Sequence, residues 1–111
     1  MKIVNRKDFL DMPENTVYMT KIRGVNDFGS LEVKVSSTKD GWGNDWIADS
    51  FFVFMDKPFD DCGTFPELGD EFRFEENQNT RDGLFENEQL FAVFDNQDIQ
   101  QVIDKLKRCL K

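Results

Sequence analysis

The chain has 111 residues, with 22 acidic and 14 basic side chains, no histidine and a net charge of −8. A chain of that length makes one domain and buries roughly 65% of the surface its unfolded form exposes, enough for a core without metal or disulfide support. The absence of histidine excludes Ser–His and Cys–His nucleophile pairs and the commonest transition-metal ligand, and the negative charge disfavours direct binding to nucleic-acid phosphates.

Lys2 to Val4 reads as a short strand. Asn5 follows as a helix N-cap, and Val4 and Phe9 stand at the N′ and N4 positions of a hydrophobic staple. The residue before proline is pushed out of the α region, so Met12-Pro13 stops the helix and leaves it spanning Arg6 to Asp11. No apolar h-region follows the basic start, so no signal peptide is expected. No apolar run reaches eighteen residues, so no membrane span is expected either.

Thr16 to Arg23 is rich in β-formers and predicts a strand. Gly24 to Gly29 is a turn region. Leu31, Val33 and Val35 alternate with Glu32, Lys34 and Ser36, which predicts a half-buried strand with its valines inward and a hairpin with the strand before it. Ser37 to Asp45 reads as a loop carrying Trp42, with Trp46 at its exit. Ile47 to Met55 is an almost continuous apolar run, as a central strand covered on both faces would be.

Asp56 to Gly69 is turn-rich. Phe72 and Phe74 alternate with Glu71, Arg73 and Glu75, which predicts a second half-buried strand. Glu76 to Gly83 reads as a polar loop, and Leu90 to Phe94 as a short last strand. Asp95 is the N-cap of a C-terminal helix, with Phe94 and Ile99 as its staple. Ile99, Val102, Ile103, Leu106 and Leu110 form one apolar stripe, expected to pack on the sheet, and the basic residues at its end suit the helix dipole. The predicted fold is α+β: an antiparallel sheet of about five strands, curled towards a partly open barrel, with a short N-terminal helix and an amphipathic C-terminal helix.

Charge is unevenly spread. Asp56 to Glu88 holds eleven carboxylates against Lys57, Arg73 and Arg81, so the whole net charge of −8 lies in this segment. One reading is a solvated face that keeps the protein soluble. The other is a surface for a basic protein partner, in its sharpest form a nucleic-acid mimic. Duplex DNA carries one charge per ~1.7 Å, so eleven carboxylates imitate roughly 19 Å of duplex, about half a turn. On this second reading the candidate partner-binding residues are Asp60, Asp61, Glu75, Glu76 and Asp82, with Trp42 as an aromatic anchor. Trp46, beside the central strand, is expected in the core.

Other chemistries have weaker signals. Asp60-Asp61, Glu75-Glu76 and Asp40 with Asp45 offer oxygen ligands for Mg²⁺ or Ca²⁺, but no EF-hand spacing is present. Paired carboxylates also serve glycoside hydrolysis, for which so short a chain leaves little room. Arg81, before the turn signal Asp82-Gly83, is expected to pair locally with Glu75, Glu76 or Asp82. Cys62 and Cys109 match no metal spacing and are expected to be free thiols of a reducing cytoplasm. No catalytic residue, metal or cofactor is expected.

Two stretches carry a resemblance. Asn5-Arg6, Phe9-Leu10, Pro13 and Thr16 resemble the opening of small uncharacterised proteins of tailed bacteriophages and prophages. Arg81-Asp82-Gly83-Leu84-Phe85 and Gln89-Leu90-Phe91-Ala92-Val93-Phe94 resemble their closing block, again just before an amphipathic helix. The resemblance covers about a quarter of the chain and implies a phage or mobile-element accessory protein acting in a bacterial cytoplasm, with no known activity. The function expected is therefore a non-enzymatic protein-binding module. The alternatives are a homo-oligomeric assembly protein and a carboxylate-based, metal-dependent hydrolase.

Overall fold

The N-terminal cap forms as its residues require. Asn5 is extended, and its side chain accepts a hydrogen bond from the Asp8 backbone N–H at 2.8 Å. The staple closes behind it, because Val4 and Phe9 are both buried in one cluster. The computed structural model describes residues 1–40, 43–51, 67–71, 74, 79–81 and 87–111. Its elements are β1 (Lys2–Asn5), α1 (Arg6–Leu10), β2 (Thr16–Thr20), β3 (Glu32–Asp40), β4 (Gly43–Ser50), β5 (Asn79–Arg81), β6 (Leu90–Val93) and α2 (Asn96–Lys107).

The strands form one six-stranded sheet in the order β1-β6-β2-β3-β4-β5, antiparallel at every pairing. Among the described residues the sheet is not closed, with β1 and β5 at its edges. The expected α+β class and both helices are present. The chain leaves α1 through Pro13 and turns at Asn15, whose φ of 65° is a left-handed conformation that asparagine tolerates. Asn15 N–H then donates to Lys34 O at 2.7 Å and draws β2 against β3.

Phe9 is the centre of the core. Its ring lies 4.6 Å from Tyr18, 5.0 Å from Trp46 and 4.2 Å from Phe91. The cross-strand register puts these partners on the α1 side of the sheet. Tyr18 is opposite Glu32, Lys34 is opposite Ala48, and Val4 is opposite Phe91. Trp46 is in the core, as its place beside the central strand predicts.

Four expectations are corrected. The valine face of β3 is not the inner one. Lys34 is only 1% exposed, whereas Leu31, Val33 and Val35 are half-buried on the other side. The segment expected as a loop from Ser37 to Asp45 is mostly strand, since β3 and β4 pair continuously to Asp40 opposite Gly43. A bulge between Lys34 and Ser36 resets the register on the way. Its serines and threonine lack an apolar alternation, so pairing with β4 decides their state rather than a pattern of their own.

The third correction concerns the acidic half. Phe74 is 59% exposed and outside any strand, although it sits 5.8 Å from the Phe51 ring. Asn79 to Arg81, expected in a polar loop, instead forms edge strand β5 against β4. The rest of the expected strand, at 72–73 and 75, lies outside the described residues, as does 52–55 of the apolar run.

The fourth is α2. Its Asp95 cap is extended and makes a capping box with Asp98. Yet the helix has no buried residue. Ile99 and Val102 are half-buried, and Leu106 and Leu110 are 62% and 81% exposed. Periodicity marks an apolar face on a helix but does not require the same chain to cover it. No helix among the described residues is long and apolar enough to cross a membrane.

Candidate functional site

Beyond the aromatic core, the α1 side of the sheet becomes polar. Arg6, the first residue of α1, is buried, and its guanidinium lies over the Trp46 ring at 4.7 Å. It donates from Nη1 to Gln89 Oε1 at 2.7 Å. Its Nη2 stands 3.7 Å from Asp45 Oδ1. Asp45 is fully buried, and its Oδ2 accepts from Arg81 Nε at 2.6 Å. The Arg81 side chain is about half exposed, so one arginine anchors this carboxylate from inside and the other reaches it from solvent.

A second chain of polar groups crosses the same strands. Trp46 Nε1 donates to Tyr18 OH at 2.8 Å, and Tyr18 OH donates to Glu32 Oε2 at 2.8 Å. Together the two chains edge a cleft of about 290 Å³ lined by Thr20, Glu32, Trp46, Ala48, Thr80, Arg81 and Gln89. Glu32, Asp45 and Gln89 already accept hydrogen bonds from protein side chains there. The cleft is therefore built as a polar core extension, and its groups serve folding before any ligand.

Lys34 is a third buried charge. Its ammonium reaches the C-terminal end of α1 and donates to the carbonyls of Phe9, Leu10 and Met12 at 2.9, 3.0 and 2.6 Å. Helix ends leave such carbonyls without intrahelical donors, and a cation there also meets the negative end of the dipole. Ser37 Oγ donates to the same Leu10 carbonyl at 2.6 Å. Burial pushes the Lys34 ammonium below its ordinary pKa, with Asp11 acting in the opposite direction.

The sequence-derived site residues Trp42, Asp60, Asp61, Glu75, Glu76 and Asp82 all lie outside the described residues. Arg81 was expected to pair with a sequence neighbour, and the partner described is Asp45, thirty-six positions away. Asp45, a suggested metal ligand, is instead held between Arg6 and Arg81. Among the described residues no group of three or more acidic or cysteine side chains is placed to hold a metal ion. Cys109 is a free, exposed thiol.

The surface feature that stands out is α2. Its stripe of Ile99, Val102, Ile103, Leu106 and Leu110 runs from half-buried to nearly free along the helix. The Met1 ammonium ties the N-terminal end down, 2.6 Å from Asp98 Oδ2 and 3.4 Å from Asp95 Oδ2. That contact raises the pKa of the amine and lowers that of Asp98. No family model, curated protein or solved structure matches the chain.

Proposed function

We propose that the protein is a small non-enzymatic protein-binding module, an accessory of a phage or mobile element acting in a bacterial cytoplasm. The observation that carries this reading is the exposed C-terminal part of the α2 stripe, which ends in Leu106 and Leu110 at 62% and 81% exposure. Exposed apolar residues aligned on one helix face mark interaction surfaces more than isolated ones do. Such a face docks into an apolar groove through anchors three and four residues apart. The excess of eleven carboxylates over three bases in Asp56 to Glu88 supports a basic surface on the partner. The resemblance of residues 5–16 and 81–94 to phage proteins supports the setting.

Capture from a bacterial lysate on immobilised protein tests the reading. The wild type is expected to retain a protein at low salt that Leu106→Glu fails to retain. Simultaneous reversal of Asp60, Asp61, Glu75 and Glu76 to lysine is expected to weaken the retention and its salt dependence, because charge pairs steer association. A wild-type column that retains nothing beyond the Leu106→Glu column overturns the proposal.

A further inference from the structure

The stripe on α2 raises the question of what covers it. Isolated helices shorter than about 12–15 residues are marginal in water. α2 has 12 residues and no buried one, and its ties to the rest of the described residues include the Met1 contact and the half-buried Ile99 and Val102. The charges of the helix and its last turn indicate the cover. All the carboxylates there, Asp95, Asp98 and Asp104, precede all the cations, Lys105, Lys107, Arg108 and Lys111. A second α2 running antiparallel sets each acidic end beside a basic end and opposes the two dipoles favourably. A parallel partner would stack the four cations on their copies.

We propose that α2 is a self-association face, which pairs antiparallel with α2 of a second copy of this chain. The proposal rests on the reading of the protein as a binding module: a second copy covers the stripe when no basic partner occupies it. Ile99 and Leu106 take the a positions of a short seam and Val102 and Cys109 the d positions. In an antiparallel pair centred near Asp104, Val102 meets Leu106 of the other copy, and Ile99 meets Cys109. Asp98 then lies level with Leu110 and Lys111 at the basic end of the other copy. Ile103 and Leu110 widen the seam on one side.

Sedimentation equilibrium from about 10 µM to about 1 mM, the range suited to a small interface, reads the association. The mass is expected to rise with concentration towards twice the chain mass of 13.0 kDa. Leu106→Glu is expected to hold it at the chain mass, with an unchanged circular dichroism spectrum because Leu106 is exposed. A wild type that stays at the chain mass throughout, or a variant that associates as the wild type does, overturns the proposal. If that monomeric wild type still captures a protein that Leu106→Glu loses, self-association falls while the binding-module reading stands.

Orientation has its own readout. In a Cys62→Ser background, mild oxidation at high concentration is expected to leave Cys109 uncross-linked, while adding Ile99→Cys yields a disulfide-linked dimer. A dimer linked through Cys109 alone overturns the antiparallel arrangement.

Discussion

The sheet beneath α1 and the helix α2 distribute charged and apolar groups in opposite ways. Beneath α1 the protein buries Arg6, Lys34 and Asp45, while α2 leaves Leu106 and Leu110 in water. The buried charges are tolerable because each is matched: Lys34 by three carbonyls, Asp45 by two guanidiniums, Arg6 by Gln89 and the Trp46 ring. The leucines have no such match within the described residues. Fold stability in this protein is thus invested in a polar-braced core, and its apolar surplus is turned outward.

Removing a brace should have the largest effect. Asp45→Ala removes the buried carboxylate that Arg6 and Arg81 share, and breaking a buried charge pair by removing one partner costs about 3–5 kcal/mol. Urea unfolding is expected to show a loss of that size, and a loss under about 1 kcal/mol would show that Asp45 does not brace the core.

Lys34→Met comes next. It takes the ammonium from three helix-end carbonyls; Phe9 O keeps the Met12 N–H and Leu10 O keeps Ser37 Oγ, so Met12 O loses its described donor, and an orphaned group of this kind costs about 1–3 kcal/mol. The pH dependence gives a sharper form. The folded chain holds the Lys34 proton less tightly than the unfolded chain does, because the pKa is lowered from 10.5 on folding. Stability contributed by this group therefore rises with pH between the lowered value and 10.5, where the unfolded state binds more protons. Urea midpoints measured as pH approaches 10.5 are expected to show that rise in the wild type and not in Lys34→Met.

The smallest effect belongs to α2. Leu106→Glu in dilute solution is expected to change stability by less than about 0.5 kcal/mol, as surface substitutions away from the core do. Thermal melting checks it. A loss of several degrees at low concentration would place the stripe in the intramolecular core and remove the contrast between the two regions.

Much of the fold was legible in local chemistry. Asn5 and Asp95 announce the two helix starts, because a capping side chain must precede the first unsatisfied N–H groups. Phe9 and Trp46 belong to the core by the staple and by the neighbouring strand. The inward turn of Lys34 was hidden, because valines on either side of it made a persuasive period of two. β5 was hidden because Asn79-Thr80-Arg81 has no apolar alternation and forms only by pairing with β4. The Arg6–Asp45–Arg81 cluster joins residues from α1, β4 and β5, which no local pattern connects.

The sequence by itself determined where helices begin, which aromatic residues seek burial, and that α2 carries an apolar stripe. These depend on groups a few residues apart. The tertiary structure alone decided which face of β3 turns inward, which charges are buried and paired, and that the C-terminal part of the α2 stripe lies exposed. Those outcomes depend on which distant strands supply carbonyls, carboxylates and rings at a given point in space, and strand order, register and the bulge at Lys34–Ser36 set that supply.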